Sequence, residues 1–455
     1  MGNYKPYQKY KKSEIPWLRE IPEQWEIKTI NNCFIERKER VSDKDYKPLS
    51  VTKHGIVPQL ENTAKTIHGD NRKKVSKGDF VINSRSDRKG SSGIAKEDGS
   101  VSLINIVLEP NTICSRFSEY TLKCYSFKEE FYRFGRGIVA DLWTTRYAEM
   151  KKMYIPSPPP QEQITIANFL DYKLSKINRF IRKKKQLIQL LQEQKIAIIN
   201  QAVTKGLNSN TKMKESGIKW LGKIPEHWEV KELKHLAEVK TGKTPKIESS
   251  LIDYFLEGNI NWYTPGDIKN GGIISESNRK INHKAIEDSR ISIFPKNSVY
   301  LICIGGTIGK VGISFIESSC NQQINAIVFN ESINPLFAFY YLKSQKHQID
   351  FLADFTTLPI LNQSKTKSII FSFPPLSEQQ QIISHIEQET IKIDTTISKI
   401  EKELALVKEY KTALISEAVT GKIDVRDFVL PKDFKQEKYE AEEEISVATK
   451  EFAKY

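Results

Sequence analysis

Five cysteines in 455 residues, Cys33, Cys114, Cys124, Cys303 and Cys320, leave an odd number and no C-x-x-C pair. That usage excludes a disulfide framework and reads as buried free thiols. The seven histidines are scattered, with no H-x-x-x-H or H-E-x-x-H spacing, so no metal site is expected. No apolar run approaches the roughly 18 residues of a membrane span. The opening Met1-Gly2-Asn3-Tyr4-Lys5 is polar, and Pro6 stands where a myristoylation signal needs Ser or Thr. A cytoplasmic protein is therefore expected. Catalytic signatures are missing too: there is no G-x-S-x-G, no locally supported Cys/His pairing, and no Asn/Asp-Pro-Pro-aromatic sequence of an amino-methyltransferase. Gly305-Gly306-Thr307-Ile308-Gly309-Lys310-Val311 fails as a phosphate loop. Ile304 stands where the first Gly belongs, and Val311 replaces the Ser or Thr after Lys310.

What the chain has is a copy of itself. Trp17-Leu18-Arg19-Glu20-Ile21-Pro22-Glu23-Gln24-Trp25-Glu26-Ile27 returns as Trp220-Leu221-Gly222-Lys223-Ile224-Pro225-Glu226-His227-Trp228-Glu229-Val230, an offset of 203 from Trp17 to Trp220. Pro158-Pro159 with Glu162-Gln163 returns as Pro374-Pro375 with Glu378-Gln379, an offset of 216. The unit is far longer than the roughly 20–50 residues of a solenoid repeat. It is a duplicated domain pair with matched ends and divergent middles. Trp25 and Trp228 read as apolar anchors rather than functional groups.

Each middle, about 28–157 and 231–373, has short apolar runs broken by Gly, Asn, Ser and Pro, which predict strands and turns. Val101 to Leu108 is one such run, and a short helix is expected around Glu129 to Arg136. Between the Pro-rich stop at Pro156–Pro160 and Gly206 lie no Pro and no Gly, so Gln161 to Thr204 predicts one helix of about 44 residues, ~66 Å long. Its apolar positions alternate in steps of 4 and 3 through Ile177, Ile181, Ile188 and Leu191. Adding 216 gives the same seam at Ile393, Ile397, Leu404 and Val407. Two matched stripes in one chain bury each other, antiparallel under an internal two-fold, or each docks on its own domain.

The net charge of +14 favours a polyanionic partner, nucleic acid first. Candidate DNA contacts in the first middle are Arg85, Arg88 and Lys89, clustered within a Ser/Gly-rich loop, Arg136 between Gly135 and Gly137, and Arg146 after Thr144-Thr145. In the second they are Lys243, Thr244, Lys269, Lys310, Gln322, Gln323 and Asn325. Arg suits phosphate or guanine, and amides suit adenine. The alternatives are solvated charges and amides that satisfy loop backbone. Arg179 and Arg182-Lys183-Lys184-Lys185 put a basic stretch on the helix that faces either DNA or solvent.

Together these features resemble the specificity subunit of type I restriction-modification enzymes, over about residues 13 to 423. The resemblance rests on the repeated Ile-Pro-Glu-x-Trp-Glu, the two Pro-Pro/Glu-Gln helix starts, Lys77-Gly78-Asp79-Phe80, Trp262-Tyr263-Thr264-Pro265-Gly266-Asp267-Ile268, Gly306–Gly312 and Asn321-Gln322-Gln323-Ile324-Asn325-Ala326. It implies an α/β (α+β) chain with target recognition domains at 1–157 and 208–373, spacer helices at 158–207 and 374–423, and a charged tail at 424–455. It implies a non-catalytic reader of a split, asymmetric DNA site. Its implied partners are double-stranded DNA, two methyltransferase subunits and two motor-nuclease subunits. S-adenosylmethionine, ATP and Mg would be cofactors of those partners, none bound by this chain. A non-DNA coiled-coil scaffold is the alternative, marked by the absence of salt-sensitive, sequence-dependent binding. A single-chain restriction enzyme would methylate DNA alone.

Overall fold

The structure is a computed structural model that describes residues 4–59, 69–137, 143–245, 254–268, 272–355 and 358–434. It divides into two compact units, 1–185 with 401–455, and 186–400. The division falls inside both long helices. Among the described residues no helix is long and apolar enough to cross a membrane.

In the first unit a four-stranded antiparallel sheet runs in the order Ser92–Ile94, Phe80–Asn83, Asn105–Pro110, Phe34–Glu36. Successive residues of a strand face opposite sides. Phe80 and Ile82, with Ile106 and Leu108, pack on Phe117, Leu122, Phe127 and Phe131 of the helices Ser115–Lys123 and Tyr125–Arg133. Val81 and Val107 face the other way, against Leu49, Ile56, Val75 and Val101. The expected helix near Glu129 therefore lies one turn earlier and has a second helix before it. The run from Val101 to Leu108 is not one strand. Gly99–Val101 belongs to a separate three-stranded sheet, and a turn at Ser102, whose carbonyl accepts from the Asn105 N–H at 3.0 Å, divides the run.

The second unit repeats this plan. Its sheet runs Val311–Ser314, Ser298–Ile302, Ile324–Phe329, Ala237–Thr241, the same third-second-fourth-first order of chain passage. Val299, Leu301 and Ile327 pack on Phe337, Tyr341 and Leu342 of the helix Pro335–Ser344. Tyr300, Ile302 and Ala326 face Tyr263, Ile274 and Phe294. Each unit also closes with one matched strand pair, Glu26 against Ser157 in the first and Glu229 against Phe373 in the second.

The repeated motifs are the joints. Buried Trp25 donates its indole N–H to Glu162 Oε1 at 2.9 Å, and buried Trp228 donates to Glu378 Oε1 at 3.2 Å. Gln163 Oε1 accepts from the Cys114 backbone N–H just before the helix Ser115–Lys123, while its amide holds the Pro158 carbonyl, both at 2.8 Å. Gln379 does the same with the Asn334 N–H at 2.8 Å and the Pro374 carbonyl at 2.9 Å. The pair Glu-Gln thus clamps the lead-in Trp and the sheet-covering helix to the start of each long helix.

Those helices are Pro160–Lys205 and Leu376–Val419. Gly206 and Gly421 follow them with φ of 74° and 75°, left-handed caps that a side chain would strain. Every seam position is buried or half-buried. In the first unit, Asn178 Oδ1 accepts from Lys411 Nζ at 2.7 Å and Lys184 pairs with Glu403 at 2.8 Å. Numbers rise on one helix as they fall on the other, so these segments are antiparallel. In the second, Lys195 pairs with Asp394 at 2.7 Å. Ile166, Leu170 and Leu174 join the first unit's core with Leu414 and Val419, Ile177 packs against that core, and Ile181 is half-buried. The last segment is only partly tail. The Asp424 N–H donates to the Lys5 carbonyl at 2.8 Å, and Phe434 meets the Tyr172 ring at 5.4 Å.

Candidate nucleic-acid interface

The sheet that organises each unit also gathers its candidate residues. In the first, Arg85, Arg88 and Lys89 occupy the loop from Phe80–Asn83 to Ser92–Ile94. Residues 134–137 and 143–146 come against it: Thr144 forms bridges with both Arg85 and Arg136, the Ser86 N–H donates to the Trp143 carbonyl at 2.8 Å, and the Thr145 N–H donates to the Ser84 carbonyl at 2.9 Å. All five first-unit candidates, Arg146 included, thus share one surface. Tyr132 buckles the loop, its hydroxyl donating to the Asn83 carbonyl at 3.0 Å and accepting from the Gly90 N–H at 3.3 Å. Burial pushes that phenol up to about 12.

Charge on this surface is only partly compensated. Arg85 meets Asp87 at 3.1 Å, Lys89 meets Glu129 at 2.7 Å, and Arg136, 83% exposed, reaches Glu149 at 3.7 Å. Exposed pairs of this kind are worth roughly 0–1 kcal/mol and are easily exchanged for a phosphate.

In the second unit three loops leave one end of the sheet: 242–245 after Thr241, 303–310 after Ile302, and 321–323 before Ile324. The Lys243 N–H donates to the Cys320 carbonyl at 2.9 Å and the Cys303 N–H to the Gln323 carbonyl at 2.8 Å. Thr244 donates its hydroxyl to Gln322 Oε1. Lys243 and Gln322 are exposed, and Thr244, Lys310 and Gln323 half-buried. The loop 303–310 links the second and third strands, as the loop carrying Arg85 does in the first unit. Lys310 and the Arg85–Lys89 cluster therefore occupy equivalent places. Gly305 and Gly309, with φ of 97° and 84°, make the turn.

Two candidates stand apart. Asn325 is fully buried; its Oδ1 accepts from Thr241 at 2.7 Å, and its Nδ2 donates to Thr366 Oγ1 at 2.7 Å. It ties strands together and presents no edge to a base, a correction to its expected role. Lys269 lies outside the described residues.

Sequence reasoning missed three side chains on the first surface. Leu103 and Ile104, 39% and 43% exposed, sit in the loop equivalent to 321–323, where Ser84 Oγ donates to the Ile104 carbonyl at 2.6 Å. Trp143 is 36% exposed beside Arg85. One loop position thus offers apolar groups in the first unit, suited to a thymine methyl, and amides in the second, suited to adenine. In the sequence the first pair is only part of the apolar run 101–108, and nothing there marks which of its residues reach the surface. Among the described residues no group of three or more His, Cys, Asp or Glu side chains is placed to hold a metal.

Known proteins place this geometry. Residues 225–406 match the family model of the type I restriction modification DNA specificity domain. The putative type I restriction enzyme MjaX specificity subunit of Methanocaldococcus jannaschii is 25% identical, over 92% of this chain and 97% of its own length. The MjaIX specificity subunit of the same organism is 33% identical over 38% of this chain and 39% of its own. Among solved structures, a chain of a type I R-M system covers 89% of this one and 99% of itself with a TM-score of 0.66 at 11% identity. The HsdS subunit from Thermoanaerobacter tengcongensis covers 89% and 98% with a TM-score of 0.52 at 14% identity. These identities show the fold alone; the mixed helix-and-strand architecture is shared. Residues 225–406 thus match a type I restriction modification DNA specificity domain, and the chain is similar over nearly its whole length to a specificity subunit of a type I restriction enzyme.

Proposed function

We propose that the two units read the two halves of a split, asymmetric DNA site, and that the chain thereby directs adenine methylation, and cutting of unmethylated DNA, by partner subunits. The observation that carries this is the equivalence of the loop positions 84–91 and 303–310, on sheets of identical order, with different side chains on each. A shared scaffold with unlike readers is what a non-palindromic site requires. Lys and Arg on these loops would supply salt-sensitive affinity, and a few base-edge contacts would supply specificity.

Methyltransferase subunits, two by the repeat, are the proposed partners of the long helices, with two motor-nuclease subunits joining them. Off the seam, Leu190 and Ile391 are 60% and 63% exposed, apolar groups that such partners would cover. S-adenosylmethionine, ATP and Mg belong to those partners in this reading.

Adenine-methylation mapping tests it, in cells carrying this chain with its methyltransferase against cells lacking only this chain. A split asymmetric motif that disappears with the chain is the expected result. Unchanged methylation with the methyltransferase expressed would favour the scaffold reading instead.

A further inference from the structure

The turn that carries Asn321 and Gln323 occurs in both units. In each it is closed by one backbone bond, from the Asn105 N–H to the Ser102 carbonyl at 3.0 Å and from the Ile324 N–H to the Asn321 carbonyl at 3.2 Å. The sheet registers agree: Asn105 lies opposite Asn83 as Ile324 lies opposite Ile302. Gln323 therefore stands where Ile104 stands, and Asn321 where Ser102 stands. The first unit makes the turn with no amide side chain at either position. The scaffold does not require the pair found in the second.

That pair is polarised. The Gln323 backbone N–H donates to Asn321 Oδ1 at 3.0 Å. A main-chain N–H can only donate, so this bond fixes which end of the Asn321 amide is the oxygen. The nitrogen, Nδ2, then donates to Gln323 Oε1 at 3.1 Å. Gln323 is left with its Nε2 hydrogens, which among the described residues meet no protein acceptor. The turn is held from both sides, the Asn321 N–H donating to the Tyr263 carbonyl at 2.9 Å and the Cys303 N–H to the Gln323 carbonyl at 2.8 Å. Asn321 is buried and Gln323 half-buried. The loops at this end of the sheet, 242–245, 303–310 and 321–323, contain two lysines and no Asp or Glu.

An open amide suits adenine because both of its ends are used, the oxygen for N6–H and the nitrogen for N7. In Gln323 the oxygen is already held. A donor alone suits guanine, whose major-groove edge offers the acceptors O6 and N7, whereas cytosine presents N4–H and calls for an acceptor.

We infer that Gln323 reads a guanine in the half-site of the second unit, with Asn321 as the positioning residue that holds its oxygen and leaves its nitrogen to donate. The inference rests on the DNA-reading function proposed above. Phosphate also accepts from donors and is the competing ligand. Guanine is favoured because the equivalent side chain, Ile104, is apolar and has nothing to offer a phosphate.

The experiment measures binding of full-length chain to duplexes carrying the methylated motif with each base pair exchanged singly, and to a scrambled duplex. The variants are Q323E and N321D. In Q323E one carboxylate oxygen still accepts from Asn321 and the other replaces the free nitrogen. In N321D one oxygen still accepts from the Gln323 backbone, while the second draws Gln323 Nε2 and leaves Oε1 open. Both turn a donor into an acceptor, by different routes. Wild-type binding should fall by about 10- to 100-fold when one guanine in one half is exchanged. Both variants should lose that preference and favour cytosine at the same place, with the pattern of the other half unchanged. A wild-type series in which no guanine matters would overturn the inference, as would variants that keep the wild-type pattern. Weakening by one common factor on every duplex would overturn it too, since the contact would then be to phosphate. Thermal unfolding checks that each variant folds, and one folded variant suffices. Wild-type chain that binds the motif no better than the scrambled duplex would instead sink the reading function itself.

Discussion

Glu162 receives two buried donors at once, the Trp25 indole at 2.9 Å and the Tyr7 hydroxyl at 2.6 Å. Burial and that carboxylate together push the Tyr7 phenol far above its ordinary range. Removing the carboxylate strands both donors in the core, so E162A should cost about 2–4 kcal/mol in urea unfolding. Glu378 serves Trp228 and an exposed His227, so E378A should cost less. Equal losses would show that the second donor contributes nothing. The sequence made these residues conspicuous by repeating them, yet not as a pair, because 137 positions separate Trp25 from Glu162. The thiols were legible from count and spacing. Burial raises Cys33, takes Cys124 and Cys303 to about 11 and 12, and lifts Cys320 well above the ordinary range. A raised pKa means less thiolate at a given pH, and hence slower alkylation. At mildly alkaline pH, native protein should label at half-buried Cys114 alone, and denatured protein at all five. Rapid native labelling of Cys303 would contradict the packing.

Among the elements, the long helices were the most legible, because a 4-3 alternation sustained without Pro or Gly admits few other structures. The strands were less so. The run Val101–Leu108 looks continuous, and only the Ser102–Asn105 turn, a backbone feature, hands its middle to the surface. Asn325 was misassigned for a related reason: amide density gives no sign of which amide points inward. Helix register makes the sharpest test, since neighbours on one helix differ completely in environment. Leu404 is 7% exposed in the seam, and Leu406, two positions on, is 66% exposed. L404A should destabilise by about 2–4 kcal/mol, as buried leucines do. L406A should stay within about 0.5 kcal/mol, as surface changes do. Thermal unfolding of the two variants decides it; equal shifts would mean that the stripe does not pair as the seam requires.

At the scale of the whole molecule, duplication separates what must be kept from what is free to differ. The Trp–Glu and Gln clamps and the closing strand pairs recur in both units, and the helix seams keep one register. The loops and their charges differ. Leu233 and Ile369 mark where the second unit's variable part begins and ends: the Leu233 N–H donates to the Ile369 carbonyl at 2.8 Å, just inside the closing pair of Glu229 with Phe373. The stretch between them is held by this neck and by the Asn334–Gln379 clamp to the long helix. Exchanging 234–368 for the equivalent stretch of a relative leaves the neck, both helices and the first unit untouched. Methylation mapping of cells carrying the exchanged chain should show one half of the motif replaced and the other half kept. Should both halves change while the protein still assembles and methylates, the two units do not read independently. The matched scaffold would then be part of the reader rather than its support.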